Sequence, residues 1–310
     1  MLGVVVVAAS MMLVVPLVVL VAFAAVLAAT GSGVDGALDA LVLDPGEPVR
    51  PVTLAYLLTS LAVMIPVVWA VGRLHGLKPR WLSSVAPRIR WKFLLACLGV
   101  SVVAFIAGLA TSVVVSLLDP SLAEVDPAVD SQVTLASWSA TTRDFLLVVL
   151  LVTPFQAAAE EYVFRGYLTQ VAGGIFSSER LAKVLAVLVP ATLFALAHGA
   201  QNPPLFFDRF AFGVMAGVLV ILTGGLEAPI AMHVVNNWFA FGLAVLLGQM
   251  DQVLTATESS WWAVPVTVVR TAVFLGGALL VHRWMRERKR ADSAVLIASR
   301  GRVYGLSSAR

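Results

Sequence analysis

The sequence predicts an all-α fold, a polytopic membrane helical bundle of about eight transmembrane helices with a polar intramembrane cavity. Composition is the first observation: the 310 residues are 60% hydrophobic and 13% charged, with a mean hydropathy of +0.93. Soluble domains are usually about 45–50% apolar and ~25% charged. The second observation is that apolar residues form runs near the length of roughly 20 residues that a span requires. The third is that a few polar side chains lie inside these runs, where they must find partners away from water.

Eight apolar segments qualify as spans, and we find no internal repeat or soluble domain between them. They are residues 3–29, 52–72, 93–118, 145–168, 181–198, 210–224, 229–248 and 263–282. The first segment begins apolar at once, without the basic start or cleavage site of a signal peptide, so we expect a retained helix. The fifth and sixth segments are short, and Pro203 and Pro204 between them predict an interruption of the helix.

The charge of the loops predicts the orientation. Residues 73–92 hold six Lys or Arg and no acid, and the segment after His282 is also strongly basic. Residues 30–50 hold four acids and one Arg, and residues 119–144 hold five acids and one Arg. Basic loops stay in the cytoplasm, so both termini are predicted to be cytoplasmic, as an even number of spans requires. We expect an integral protein of the plasma membrane, and the net charge of +3 indicates this orientation, not nucleic acid binding.

Three residues are assigned no chemistry. Cys97, the single cysteine, lies in an apolar run, which excludes an intrachain disulfide and indicates a small buried side chain. His75 lies in the basic loop and His282 at the edge of the basic end, so both are predicted to be surface residues.

The stretch "AEEYVFRGYL", residues 159–168, places three charged residues after a long uncharged run. Glu161 and Arg165 are four positions apart, so they share a helix face in the favourable order, with the acid first. Glu160 points about 100° away from that pair and has no cation on its own helix. An unpaired carboxylate in an apolar setting suits a general base or acid. The alternative is that the span ends before Glu160, which would leave a solvated helix end.

Two further apolar spans contain polar side chains. His198 ends the fifth span in "FALAH", and His233 and Asn237 lie four positions apart in "HVVNN" of the seventh. One histidine inside a span is readily explained by packing, but two histidines, an asparagine and a carboxylate pair all need partners away from water. We therefore expect these side chains to meet around one polar cavity.

These motifs resemble those of the CAAX protease and bacteriocin-processing family (CPBP, or Abi), which includes the type II CAAX prenyl endopeptidases. "EEYVFR" fits EExxxR, "FALAH" fits FxxxH and "HVVNN" fits HxxxN, in that order over residues 145–248. The resemblance implies a glutamate-dependent intramembrane endopeptidase without a cofactor. In that scheme Glu160 and His198 hold and deprotonate the attacking water, Glu161 and Arg165 brace the site, and His233 and Asn237 donate to the oxyanion.

The helix arithmetic opposes one part of this scheme. At 1.5 Å per residue, the predicted spans place Glu160 towards the cytoplasmic side and His198 nearer the outer side. The two side chains meet only if helices are tilted or broken, for which Pro154 and Pro190 offer sites.

Three other functions are open to the same residues. Glu160, His198 and His233 could bind zinc with an open fourth position, as in a metalloprotease, although the sequence has no HExxH. Buried acids could relay protons in a transporter, although the inverted repeats common in carriers are missing. A scaffold without activity could also retain the fold. We expect the partners to be the bilayer and a membrane-associated peptide or protein substrate, with no nucleic acid; nothing in the sequence indicates that the substrate is prenylated.

The predicted organisation is a single membrane domain in four parts. Residues 1–144 form the first three helices and their loops, and residues 145–248 form the catalytic core. Residues 249–290 form the last helix and the basic end, and residues 291–310 are predicted to be a disordered cytoplasmic tail.

Overall fold

The computed structural model describes residues 2–43, 47–118 and 135–290. This part of the chain is 80% helical and contains no strand, which confirms the predicted all-α fold. The long helices are α1 Leu2–Asp39, α2 Pro51–Leu74, α3 Trp91–Leu118, α4 Ala140–Gly174, α5 Glu179–Leu196, α6 Pro203–Thr223, α7 Glu227–Leu247 and α8 Ala263–Trp284. The predicted tail 291–310 and most of the acidic loop lie outside the described residues.

Among the described residues, seven of these helices are long and apolar enough to cross a membrane. The exception is α5, which was predicted as the fifth of eight spans. It has 18 residues, and three of the first five are charged: Glu179, Arg180 and Lys183. An exposed ion pair joins Glu179 to Lys183, so the beginning of α5 has the character of a helix end in water. By length and composition, seven of the described helices qualify as membrane spans, and not the eight that the sequence predicted.

Helix α4 is longer than the predicted span 145–168. Its first part is α-helical over Ala140–Glu161, a π-helical segment covers Tyr162–Leu168, and the α-helix resumes to Gly174. Pro154 lies within the helix without ending it. Because the helix continues to Gly174, Glu160 lies near its middle and not near its cytoplasmic end. The buried position of Glu160 and Glu161 also excludes the solvated helix end that the sequence left open.

Helix α6 begins earlier than predicted because Pro203 and Pro204 start it instead of breaking it. Proline is tolerated in the first turn, where its missing N–H has no partner in the helix anyway. The side chain of Asn202 caps this end by accepting a hydrogen bond from the backbone N–H of Leu205 at 3.2 Å. The helix therefore runs over Pro203–Thr223, against the predicted 210–224.

Helices α4 and α7 occupy the centre of the packing. Helix α4 contacts α2 and α7, α7 also contacts α3, α3 contacts α8, and α6 lies between α5 and α8. At the α5–α6 contact, a Cβ on Gly213 would lie 2.9 Å from Cα of Ala191, so only glycine permits this approach. This arrangement gives α4 and α7 the buried faces that the polar motifs require. Cys97 is fully buried, as predicted.

A second buried ion pair lies away from the motifs and joins Arg90, just before α3, to Glu227 at the start of α7. Arg90 holds Glu227 by two hydrogen bonds, from Nε to Oε1 at 3.0 Å and from Nη2 to Oε2 at 2.7 Å. The remaining nitrogen of Arg90 donates to the carbonyl of Thr223 at 3.0 Å. His282 contacts the same carbonyl at 3.1 Å and is buried, so the prediction of a surface residue was wrong. The reason is that α8 extends to Trp284 and carries His282 into this cluster.

Candidate active site

His233 and Glu161 form the centre of the polar cluster. Nδ1 of His233 on α7 lies 2.8 Å from Oε1 of Glu161 on α4. The same oxygen accepts a hydrogen bond from Nη1 of Arg165 at 3.1 Å, which places the predicted i, i+4 pair inside the bundle. Because a carboxylate only accepts, the proton of this contact lies on Nδ1 of the imidazole. The Nε2 atom of His233 is thereby left facing the other glutamate.

Aromatic rings surround Arg165 and hold it in place. Its guanidinium carbon lies 4.3 Å from the ring centre of Phe194, 5.5 Å from that of Phe212 and 5.8 Å from that of Phe164. Cation–π contacts of this kind gain strength where water is excluded. Nε and Nη2 of Arg165 have no hydrogen-bond partner in the described part of the chain, so the rings and Glu161 are what stabilise its charge there.

Glu160 has a freer environment than Glu161. It is 7% exposed, whereas Glu161 is 0% exposed. Its Oε1 accepts a hydrogen bond from Nε2 of Gln156 at 2.6 Å, and its Oε2 lies 3.7 Å from Nε2 of His233. The last distance exceeds a hydrogen bond. The imidazole thus bridges the two glutamates, with a close contact to one and an open contact to the other.

Asn237 joins the cluster through Gln156. Its Nδ2 donates to Oε1 of Gln156 at 3.0 Å, which leaves one N–H of the amide unused in this contact. Sequence reasoning missed Gln156, although a signal was present. It is the one amide in the run that precedes the glutamates, and it lies four positions before Glu160 on the same face.

His198 follows the end of α5 and contacts the cluster through Phe194. Its Nδ1 lies 2.8 Å from the carbonyl of Phe194, and the two ring centres are 4.8 Å apart. The Phe194 ring also meets that of His233 edge-on at 5.9 Å. A carbonyl only accepts, so Nδ1 of His198 carries a proton, and Nε2 has a free lone pair while the ring is neutral. No hydrogen bond joins His198 to Glu160 among the described residues.

The arrangement of α4 and α5 resolves the depth difference expected between Glu160 and His198. The end of α4 and α5 form an antiparallel pair joined by the short connection 175–178. Across it, a Cβ on Gly173 would lie 3.3 Å from Cβ of Ala186, and the rings of Phe164 and Phe194 lie 5.3 Å apart. Glu160 lies four positions before Phe164 and His198 four positions after Phe194. The pairing of the two rings therefore brings Glu160 and His198 to a similar level of the helix pair.

A second polar group, missed from the sequence, borders the cluster. Arg270 on α8 donates from Nη1 to Oδ1 of Asn236 at 2.8 Å, and its Nη2 lies 3.3 Å from Asp208 on α6. Thr267 donates to the same carboxylate. The signal was the presence of Arg270 inside the predicted span 263–282, because charged residues there are rare and usually functional. Asp208 lies just before the predicted span 210–224 and gave no such signal.

Two basic atoms of the cluster are left without a hydrogen bond among the described residues. They are Oε2 of Glu160, which lies 3.7 Å from Nε2 of His233, and Nε2 of His198, whose Nδ1 is engaged by a carbonyl. These two atoms are therefore available to hold a water molecule.

A metal site of three ligands is not formed by the His, Cys, Asp and Glu residues that the structure describes. In each of the two histidines named for zinc, Nδ1 is already engaged, by Glu161 in His233 and by a carbonyl in His198. Only the two Nε2 atoms and Glu160 remain as donors. The zinc alternative of Glu160, His198 and His233 stays a prediction.

The fold and the site together define a polytopic membrane protein with two buried glutamates and a buried histidine beside a half-buried asparagine. Residues 142–239 match the Rce1-like family, described as type II CAAX prenyl endopeptidase. All six predicted site residues lie within this range, which confirms the resemblance that the motifs indicated. The match supports an intramembrane protease of the CAAX type in general.

A curated relative is also similar to this chain. The Bacillus subtilis (strain 168) protein YyaK, described as uncharacterized, is 27% identical over 161 residues, which are 47% of this chain and 52% of the relative. The chain therefore spans about half the length of that curated relative. No solved structure matches the chain.

Proposed function

We propose that this protein is an intramembrane endopeptidase that hydrolyses a peptide bond in a membrane-associated peptide or protein, with Glu160 as the base. The observation that supports this most is the position of His233 between the two glutamates, 2.8 Å from Glu161 and 3.7 Å from Glu160. Glu161 is 0% exposed and its Oε1 contacts both His233 and Arg165, whereas Glu160 is 7% exposed and its Oε1 contacts Gln156 alone. This is the division between a supporting residue and a base that water activation requires.

In the proposed first step, a water molecule is held by Oε2 of Glu160 and Nε2 of His198. Its oxygen attacks the carbonyl carbon of the peptide bond while its proton moves to Oε2 of Glu160. The negative charge develops on the carbonyl oxygen. In the second step the C–N bond breaks, and the proton on Glu160 passes to the leaving nitrogen. The base is thereby regenerated within one cycle.

The oxyanion of the intermediate is stabilised by His233 and Asn237. Asn237 has one N–H beyond the one that it donates to Gln156. His233 donates from Nε2 when both ring nitrogens are protonated, a form that is balanced by the two carboxylates beside it. Each donor of this kind lowers the free energy of the transition state by about 3 kcal/mol. Glu161 and Arg165 keep the imidazole at this position and do not themselves take part in the transfer of protons.

The test uses purified protein in lipid nanodiscs and a library of membrane-associated peptides, with mass spectrometry of the products. We expect cleavage at one preferred bond that persists in a chelator, and no cleavage with Glu160→Gln. Cleavage that stops with chelator and returns with zinc would replace this mechanism with the zinc alternative. Persistence of normal cleavage in Glu160→Gln would overturn the assignment of the base.

A further inference from the structure

Four hydrogen bonds connect Arg270 on α8 to Glu160 on α4. Arg270 donates to Oδ1 of Asn236 at 2.8 Å, and Nδ2 of Asn236 donates to Oδ1 of Asn237 at 3.2 Å. Asn237 then donates to Gln156 at 3.0 Å, and Gln156 donates to Oε1 of Glu160 at 2.6 Å. We call Asn236, Asn237 and Gln156 the amide chain. Every amide in it accepts with its oxygen and donates with its nitrogen, in the same direction.

The two ends of the amide chain fix this direction. A guanidinium has donors only, and an ionised carboxylate has acceptors only. If Gln156 turned its oxygen to Glu160, each amide before it would have to turn as well. The last turn would then place the NH₂ group of Asn236 against the N–H groups of Arg270. The charge of Arg270 therefore holds the NH₂ group of Gln156 towards Glu160.

This direction determines which oxygen of Glu160 acts as the base. A proton on Oε1 would face the NH₂ group of Gln156 and would have no acceptor. The proton from water must then go to Oε2, the oxygen that lies 3.7 Å from Nε2 of His233. Hydrogen bonds in such a chain also polarise one another, which strengthens each in a low dielectric.

We propose that Arg270 is a positioning residue that acts on Glu160 through the amide chain and so selects Oε2 as the proton acceptor. The proposal rests on the proposed function of Glu160. Arg270 lies outside residues 142–239, the segment that matches the family. The other charged or titratable groups near Glu160 are His233, Glu161 and Arg165, with His198 at the same level, and all four are unchanged in the variants below.

A purely structural role for Arg270 would be to neutralise Asp208, which it contacts at 3.3 Å. Two variants separate this role from the positioning role. Asn236→Asp gives Arg270 a better partner but cannot donate to Asn237, so it keeps the charge pair and interrupts the amide chain. Arg270→Met with Asp208→Asn removes both charges together, so no unpaired charge remains, and the amide chain loses its fixed end.

The probe is dicyclohexylcarbodiimide, an apolar reagent that reacts with protonated carboxyl groups, and the readout is the labelled fraction of Glu160 by peptide mass spectrometry. We expect severalfold faster labelling of Glu160 in both variants, because Gln156 is then free to turn and accept from a protonated Oε1. Arg270→Lys retains a donor-only cation and should label like the wild type. Asn202→Asp introduces the same change of charge at a helix cap outside the amide chain and serves as the matched control.

Cleavage assays on the same preparations complete the test. If a peptide is cleaved, we expect Asn236→Asp to lower kcat severalfold with KM and melting temperature near those of the wild type. The labelling comparison needs no substrate, so it stands even if no peptide is cleaved and the proposed function fails. Labelling and kcat equal to wild type in both variants would overturn the positioning role of Arg270.

Discussion

Nδ1 of His233 and Oε1 of Glu161 are 2.8 Å apart, across the contact between α7 and α4. This one hydrogen bond joins two motifs that lie 72 residues apart in the chain. It also makes the neighbouring glutamates unequal, because Glu161 is fully buried and contacts His233 and Arg165, while Glu160 is slightly exposed and contacts an uncharged amide. The first two predictions follow from this difference.

Replacing Glu160 by glutamine should abolish cleavage and leave the protein as stable as the wild type. The amide keeps the shape of the carboxyl group and can still contact Gln156, but it cannot accept a proton from water. Cleavage rates and melting curves in the same detergent would measure the two effects. A variant that melts at the normal temperature and cleaves at the normal rate would contradict the role of Glu160.

Replacing Glu161 by glutamine should lower stability as well as activity. It leaves the guanidinium of Arg165 buried among aromatic rings without its counter-ion, at a cost of about 3–5 kcal/mol. The double variant Glu161→Gln with Arg165→Met removes both charges and should recover part of the melting temperature without recovering cleavage. Equal melting temperatures for the single variant and the wild type would refute the buried pair.

Replacing Phe194 by alanine should weaken the site by a different route. Its buried ring contacts Arg165, His198 and His233, and a Phe to Ala change in a core costs about 3–5 kcal/mol. His198→Ala is the comparison, because His198 lies outside the core and should lose activity with little change in melting temperature. If both variants kept normal cleavage, the end of α5 and the residues just after it would not belong to the site.

The pair of Arg90 and Glu227 should matter for stability alone. Glu227→Gln leaves Arg90 buried without its counter-ion, and we expect a loss of about 3–5 kcal/mol by chemical denaturation. Activity per folded molecule, measured below the melting transition, should stay near the wild-type value because the pair contacts no site residue. A large fall in kcat at unchanged folded fraction would show that this cluster reaches the site after all.

Orientation is tested by cysteine labelling in a background of Cys97→Ser. In the basic loop, Ser83 is buried against Tyr162 whereas Lys78 is exposed, so Lys78 is the labelling position on that side. Lys78→Cys should react from the cytoplasm and Ser137→Cys from outside, as the loop charges predict. Reaction of Lys78→Cys with an impermeant reagent added outside whole cells would reverse the predicted topology.

The sequence could predict those parts of the site that depend on helix periodicity. The pair of Glu161 and Arg165 follows from a spacing of four, and the burial of His233 follows from its position in an apolar span. Gln156 was missed because an amide donates and accepts equally, so its spacing alone does not show what it contacts. Arg270 was missed because its partners Asp208 and Asn236 come from two other helices, α6 and α7, which only the packing brings together.

The errors in the fold also have physical causes. Pro203 and Pro204 were interpreted as helix breakers, but their place after the capping residue Asn202 makes them a helix start. The predicted end of α4 at residue 168 rested on hydropathy, which does not detect a helix that continues beyond an apolar run. That continuation to Gly174 was needed to see how Glu160 and His198 could reach the same level.

The antiparallel pairing of the end of α4 with α5 has a consequence for membranes of different composition. Spanning helices respond to a thicker or thinner bilayer by changing their tilt. The relative level of Glu160 and His198, however, is set by the contacts between the end of α4 and α5, such as that of Phe164 with Phe194. It is not set by the distance of either side chain from a lipid surface. We therefore expect the two side chains to move together when the helices tilt, so that hydrophobic mismatch should leave their relative position unchanged.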